Sequence, residues 1–412
     1  MSLIKRDSRP CFKNRPVTQY RMATGSSQGL FRVLLTEEGE GQWLSFIAFV
    51  MVMILGAALI QVGDTVPSGT ENHPPLPDGS SIVSMDFAED GSSLAVIDDS
   101  GTNKLFRIQG SNVAEISTSS EPTVVSSFGS AWLVGGESGL LFRIVGEEIT
   151  SIPILQAEDK VLDLHAQDGS SGWILIERAQ NVELRTFDSR IQNALSFPTD
   201  IGDNSITLTG FDVDDSGNLA IVRGISSAFS NPGSPSDIGE VLFVASASIG
   251  FAPEATLVQH SIGAAYHSVH ISDDPNLMGF AVSSDRLTLI GDDLSVSSEI
   301  NIGGGSASTV DSEGKLWVFG EQSNVIIIHV DGSVQSLSVQ SPQDFPAQSA
   351  LSNGDSIHVI YNGDRLLIID STSLSNPILR PSLLFDGIFL AIAAGACLVL
   401  ARNFQVMGFD AW

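Results

Sequence analysis

Short apolar runs separated by polar turns occupy most of this chain. Between residues 82 and 381 the runs are four to six residues long and rich in Val, Ile and Phe, with Gly, Asp, Asn or Ser between them. No 3.6-residue period persists over this region. Runs of this length and composition predict β-strands joined by tight turns. The middle of the chain is therefore predicted to be all-β.

The strands fall into a phrase that recurs along the middle of the chain: a strand, a turn, a more apolar strand, a second turn and a third strand. Seven copies begin at residues 82, 124, 161, 208, 267, 306 and 348. Units of roughly 40–45 residues with three or four strands are typical of propeller blades. One small sheet cannot bury both of its faces, so each copy needs a neighbour on either side. We predict a β-propeller of about seven blades; a pair of β-sandwiches or a β-solenoid is the rival fold.

Two kinds of strand recur within the copies. In the first strand of the first copy, Val83 and Met85 alternate with Ser84 and Asp86, and in the third copy Leu162 and Leu164 alternate with Asp163 and His165. Such alternation predicts one buried and one polar face. Central strands such as LAIV are almost continuously apolar, as expected where both faces are covered.

Three of these segments resemble blades of a known group. The phrases SSLAVIDD, KLWVFGEQ and DRLLIIDS are similar to blades of the WD40/YVTN/NHL-like propellers, and the resemblance covers most of residues 82–371. The chain lacks the Gly-His and Trp-Asp pairs of WD40 repeats and a regular Asp-box. The resemblance therefore implies a propeller fold without implying one family's function.

Two apolar stretches flank the middle. Leu44–Val62 and Leu383–Ala401 each run for 19 residues, the first without a charge and the second with Asp386 alone. About 20 apolar residues span a bilayer as a helix. A cleaved signal peptide is the alternative for the first stretch, although its leader would be unusually long. The predicted organisation is a basic leader (1–42), a transmembrane helix (43–63), a linker (64–81), the β-propeller (82–381), a second transmembrane helix (382–401) and a short tail (402–412).

Charge predicts the orientation in the membrane. The leader carries seven Lys/Arg against four acidic residues, whereas the whole chain has a net charge of −28. Basic residues favour the cytoplasmic side, so the middle is predicted to lie outside the cytoplasm of a cell membrane. Its acidity excludes nucleic acid as a partner. The only cysteines, Cys11 and Cys397, lie outside the middle, which suits a prokaryotic exterior.

One string resembles the opening of a calcium loop. Asp212, Asp214 and Ser216 precede Gly217 at the spacing that lets carboxylates converge on a hard cation. The glutamate expected at the twelfth position is, however, Arg223. Similar acidic-Gly strings recur at the same place in other copies, which is ordinary hairpin chemistry. A turn is the favoured interpretation, calcium is the alternative, and no cofactor is predicted.

Catalytic residues are not predicted. His260, His267 and His270 are close in sequence, but the last two would point to opposite faces of a strand, so we predict no metal site there. The one G-x-S-x-G string lies at 25–29 in the leader, without the preceding strand that a nucleophile needs.

Two features suggest contact surfaces. The long insertion at 224–239 in the fourth copy offers Phe229, Asn231 and Asp237 as binding residues, because propellers usually act through their loops. In the second apolar stretch a smooth stripe recurs every fourth residue, where the first stretch or a second copy could pack. The stripe consists of Gly387, Ala391 and Gly395.

The sequence thus favours a membrane-anchored, extracytoplasmic binding or scaffolding module for a protein or glycan partner. One alternative is an extracytoplasmic propeller enzyme, a hydrolase, lyase or quinone-dependent dehydrogenase, which would need acidic or His residues converging at the channel mouth. Another is an accessory subunit of a membrane complex, docked through the small-residue stripe.

Overall fold

The structure, a computed structural model, describes residues 69–374 except for short gaps, together with a few helical residues near the two ends. The chain separates into two compact units, one formed by residues 60–384 and the other by residues 1–59 with 385–412. Within residues 69–374, the positions that are not described are 73, 75, 78, 111, 189, 198–205, 227–237, 248–251, 264, 273, 275, 303, 321–323, 330 and 339–345.

Seven four-stranded antiparallel sheets make up the larger unit. Each of the first six blades uses four consecutive strands, paired in chain order. Blade 1 contains β2 (Ser81–Phe87), β3 (Ser93–Asp99), β4 (Thr102–Gln109) and β5 (Asn112–Ile116). Blade 2 contains β6 (Pro122–Phe128), β7 (Ala131–Gly136), β8 (Leu141–Val145) and β9 (Glu148–Ser151). Blade 3 contains β10 (Lys160–Ala166), β11 (Gly172–Arg178), β12 (Asn181–Phe187) and β13 (Ile191–Ala194).

The next three blades repeat this pattern. Blade 4 contains β14 (Ile206–Val213), β15 (Leu219–Ser226), β16 (Ile238–Ser246) and β17 (Glu254–Gly263). Blade 5 contains β18 (Tyr266–Ile271), β19 (Leu277–Ser283), β20 (Arg286–Gly291) and β21 (Val296–Asn301). Blade 6 contains β22 (Gly305–Val310), β23 (Leu316–Gly320), β24 (Asn324–Ile328) and β25 (Val334–Ser338). The seven sequence copies therefore correspond to seven blades.

Blade 7 is completed by a strand from the start of the propeller. Its inner strands are β26 (Ala347–Asn353), β27 (Ser356–Tyr361) and β28 (Arg365–Asp370), and its outer strand is β1 (Gly69–Asn72). Gly69 pairs with Ile369 in the β1–β28 ladder. A segment read from the sequence as part of a linker (64–81) thus contributes a strand, because β28 otherwise presents an open edge. A 3₁₀ turn at Ser371–Leu374 follows β28.

The core lies between the blades. Each of seven buried clusters joins side chains of two neighbouring blades, and the cluster that unites blade 1 with blade 7 includes Ile82, Ile97, Ile360 and Leu366. Burying apolar surface contributes about 25 cal/mol per Å². Second strands such as β3 are covered on both faces, which explains their continuous apolar composition.

Acidic residues organise the turns between first and second strands. Asp214 Oδ1 accepts the Leu219 amide at 2.8 Å, and Gly217 adopts a φ of +71°. Asp90 and Asp311 accept amides of their turns at 2.9 Å in the same way. These contacts are those of side-chain-capped turns, in which glycine supplies the left-handed residue.

Few residues of the smaller unit are described. Phe49–Met51, Ile54, Gly387, Ala391, Ile392 and Gly395 are helical. Among the residues that the structure describes, no helix is long and apolar enough to cross a bilayer. The predicted membrane-spanning helices at 43–63 and 382–401 lie largely outside those residues.

Ring closure by β1 makes a testable prediction. A chain of residues 73–374, which lacks β1, should unfold at a midpoint several degrees below that of residues 66–374, because an outer strand is lost and β28 becomes an edge. Thermal unfolding followed by circular dichroism measures this difference. Equal midpoints would contradict a closing role for β1.

Candidate functional site

Propeller blades surround a central channel, which the first strands in chain order (β26 in blade 7) line. From β2 to β26, each first strand contacts the next one. Each carries a register shift at the same position relative to the second strand. These β-bulges interrupt the alternation expected from the sequence. Val83 is 51% exposed and Leu162 37%, although both were predicted to share a face with buried Met85 and Leu164. The residues at the bulges are Val83, Thr123, Leu162, Thr209, His267, Ser306 and Gln348.

Polar side chains beyond the bulges connect several blades to the next. Asp86 Oδ2 accepts the Ser127 amide of blade 2 at 2.6 Å, and Asp212 Oδ2 accepts the Ile271 amide of blade 5 at 2.8 Å. Ser126 Oγ performs the same function toward Ala166 of blade 3 at 2.9 Å. Amides on the channel face have no ladder partner, so these side chains satisfy donors that burial would otherwise leave unpaired.

The buried carboxyl groups of the first strands have raised pKa values. Burial raises the pKa of Asp163 and of Asp212 to about 6, although backbone amides that donate to each carboxylate oppose the shift. Burial also raises the pKa of Asp86. In each case desolvation of the charged form outweighs the amide hydrogen bonds. Asp163 and Asp212 are therefore carboxyl groups that take up protons in mildly acidic solution.

Basic and polar groups converge where blade 4 meets blade 5. His267 and His270 interact electrostatically with each other and with Arg223, and burial lowers their pKa values to about 4 and about 3. His270 Nε2 lies 2.8 Å from Ser308 Oγ of blade 6, and Ser268 Oγ also contacts that hydroxyl. Both imidazoles are consequently neutral near pH 7, where they can donate one hydrogen bond each.

The bulge at His267 corrects the prediction that His267 and His270 lie on opposite faces. The ladder pairs Tyr266 with Ser283 and then Ser268 with Val282, so His267 is the extra residue. Because a bulge adds one residue, the side chains before it point to the opposite face of the sheet from the one that strict alternation predicts. His260 pairs with Val241 on the outer strand β17, away from this group.

Asp212 and Asp214 have separate hydrogen-bond partners, and Asp214 contacts Ser216. The Asp212 carboxylate binds the amides of Ile271 and Val213, whereas Asp214 caps the β14–β15 turn and accepts a hydrogen bond from Ser216 Oγ. Across the described ranges no group of three or more His, Cys, Asp or Glu could hold a metal ion. Asp212 thus forms an inter-blade contact and Asp214 caps a turn, and calcium binding by this string stays the alternative prediction.

The remaining predicted site residues are only partly described. Phe229, Asn231 and Asp237 lie outside the described residues. Within the predicted insertion, Gly224–Ser226 end β15 and Ile238 and Gly239 begin β16. Gly387, Ala391 and Gly395 are helical, and a Cβ added at Gly387 or Gly395 would have no neighbour within 4 Å. Their packing role stays a prediction.

Sequence reasoning missed Arg223 as a channel residue. It noted Arg223 only as the wrong residue for a calcium loop, whereas the ladder pairs it with Gly210 of the first strand β14. The available signal was Gly210 itself, because every other blade has a side chain at the residue after its bulge. These residues are Ser84, Val124, Asp163, Ser268, Ala307 and Ser349.

Comparisons with known proteins show similarity in fold and not in sequence. No protein-family model matches the chain, and no curated protein matches it in sequence. Among solved structures, YCF48 from Cyanidioschyzon merolae is 12% identical with a TM-score of 0.50, covering 73% of this chain and 98% of its own. Virginiamycin B lyase from Staphylococcus aureus with quinupristin is 10% identical with a TM-score of 0.51, covering 74% and 99%. A chain of the mitotic checkpoint complex is 12% identical with a TM-score of 0.53, covering 74% and 96%. The resemblance to the WD40/YVTN-like propeller group is confirmed as one of fold.

The lowered pKa of the buried His358 predicts how the stability of the propeller depends on pH. His358 is 8% exposed, its ring centroid lies 4.1 Å from that of Phe87, and burial lowers its pKa to about 4. The unfolded value is about 6.5, so stability that is complete above pH 6.5 is lost as the pH falls toward 4.

We expect His358→Phe to remove this loss. The unfolding free energy of the variant minus that of the parent, measured in urea, should be about 2 kcal/mol larger at pH 5 than at pH 7.5. The parent and variant are compared at both pH values in the same buffer. An identical difference at the two pH values would mean that His358 does not titrate abnormally.

Proposed function

We propose that this chain is a binding module that presents its propeller outside the cytoplasm to a protein partner, held there by two membrane-spanning segments. The observation that carries the proposal is the closed ring of seven sheets with a long connection inside one blade, residues 227–237 between β15 and β16.

The ring provides a rigid framework on which loops can act. Neighbouring blades share buried cores, and side chains such as Asp86 and Asp212 bind amides across the blade junctions. Loops held by a rigid scaffold lose little entropy on binding, which favours their use in recognition.

Blade 4 differs from the others in a way that suits a contact surface. Its strands β15, β16 and β17 contain 8, 9 and 10 residues, whereas the corresponding strands of blade 3 contain 7, 7 and 4. Phe229, Asn231 and Asp237 in the connection between β15 and β16 combine an aromatic anchor with polar groups, a composition common in binding surfaces.

Charge indicates the kind of protein that would bind. The chain carries 48 Asp and Glu against 20 Lys and Arg. Complementary charge accelerates encounter and disfavours acidic partners. A partner with a basic surface is therefore proposed.

The apolar segments support anchorage. Leu44–Val62 and Leu383–Ala401 have the length and composition of bilayer spans, and the leader is basic. This topology would leave the leader and the tail in the cytoplasm and the propeller outside.

Partner capture tests the binding function. In membranes, cross-linking followed by mass spectrometry should recover a basic protein with the parent chain, and replacing residues 227–237 by a Gly/Ser segment of equal length should abolish its recovery. The same replacement at 339–345 is the matched control and should leave recovery unchanged. Equal recovery with all three chains, or none with the parent, would reject this loop as the contact surface.

Cysteine labelling tests the topology. Cys397 is first replaced by Ala, and Glu147→Cys adds a thiol at an exposed turn of blade 2. In intact cells an impermeant maleimide should label this introduced thiol and spare the natural Cys11, which should react only after permeabilisation. Labelling of Cys11 but not of the introduced thiol would reverse the proposed orientation.

A further inference from the structure

Gly210 lacks a side chain at a position of the first strand where the other six blades have one. It is the residue after the bulge of β14, where those blades carry a side chain. A Cβ built on Gly210 would lie 2.7 Å from both Nε and Nη2 of Arg223. The guanidinium therefore occupies the volume that a side chain would fill, directly over the glycine backbone.

The guanidinium is held in place but keeps donors available. Arg223 Nη1 donates to the Tyr266 carbonyl oxygen at 2.6 Å and lies 3.4 Å from Thr209 Oγ1. Neither Nε nor Nη2 donates to a described protein acceptor, and neither is sealed from solvent, since the side chain is only half-buried. Two donors on one edge of a fixed guanidinium match the two oxygens of a carboxylate or phosphate.

No carboxylate of the described residues forms an ion pair with Arg223. Asp163 attracts it at longer range, but the Asp163 carboxylate is already engaged by the amides of Leu164 and Phe211. Three other arginines of the propeller differ in this respect: Arg178 binds Asp159, Arg185 binds Glu183, and Arg286 binds Glu240.

Neutral hydrogen-bonding groups lie near the Arg223 guanidinium. His267 and His270 are near enough to interact electrostatically with Arg223. The Ser268 hydroxyl lies 3.1 Å from His267 Nδ1. Imidazole and hydroxyl groups can each donate to an additional oxygen, so an anion at Arg223 would find further donors without a second full charge. A strongly acidic protein thus holds, on its channel wall, a cation without an ion-paired carboxylate among the described residues.

We propose that Arg223, over Gly210 at the junction of blades 4 and 5, binds the carboxylate or phosphate group of a small anionic ligand in the channel. This site goes beyond the proposed partner surface, because it concerns the channel wall and a small molecule. Failure of either proposal leaves the other unaffected.

Titration calorimetry of the full chain in detergent tests the site. Inorganic phosphate and succinate are the probes, at constant ionic strength and pH 7.5, with chloride as the control anion. At least one probe should bind saturably with a Kd of about 1 mM or tighter, and the tighter of the two identifies the group that the site takes. The absence of saturable binding by both probes would overturn the proposal.

Variants locate the binding. Arg223→Gln should weaken the bound probe about 10–100-fold, because a charge-assisted hydrogen-bond pair is lost. Gly210→Ser, which restores the residue found in three other blades, should weaken it similarly by displacing the guanidinium. Arg190→Gln removes a charge from the exposed β12–β13 turn and should have no effect. Unchanged affinity in Arg223→Gln would overturn the assignment.

A measurement on the parent protein covers the case in which a channel variant does not fold. Phenylglyoxal modifies guanidinium groups, and mass spectrometry of peptides reports each arginine separately. Saturating probe should slow modification of Arg223 and leave that of Arg190 unchanged. Equal rates at Arg223 with and without the probe would also refute anion binding there.

Discussion

A four-stranded antiparallel sheet with apolar side chains on both faces cannot be stable by itself, and this constraint determines the architecture. Every buried cluster of the propeller joins two adjacent blades, including the cluster in which Ile82 of blade 1 meets Ile360 of blade 7. The ring must therefore close, since an open end would expose an apolar face. β1 contributes to that closure by joining the early part of the chain to the last blade.

Packing the first strands around a central channel creates a second requirement: their backbone amides need hydrogen-bond acceptors. Channel-facing amides need acceptors, and Asp86, Ser126 and Asp212 supply them across blade junctions. Carboxylates placed there are desolvated, so the pKa values of Asp163 and Asp212 rise to about 6. Asp86 and Asp212 thus join neighbouring blades, from first strands that carry the bulge common to all seven blades.

Departures from the repeat indicate function more clearly than the repeat itself. Six blades place a side chain after the bulge, and the remaining one has Gly210 with Arg223 above it. The same blade contains the longest described strands and the longest connection within a blade. Arg223 is a half-buried cation in a chain with a net charge of −28, and this contrast is why the anion site is proposed there.

The sequence by itself determined the number of blades, the strand content and the turn chemistry, because these depend on local period and on residues such as Asp214 and Gly217. It also identified the long fourth-copy insertion. Only the tertiary structure decided that Gly69–Asn72 belongs to blade 7, that His267 and His270 lie near each other, and that Arg223 lies over Gly210. Each of these depends on strand pairing or a bulge between residues distant in sequence. A bulge exchanges the faces to which the side chains of a strand point, and it does so without any change in local composition. The alternation of apolar and polar residues alone could therefore not predict the bulge.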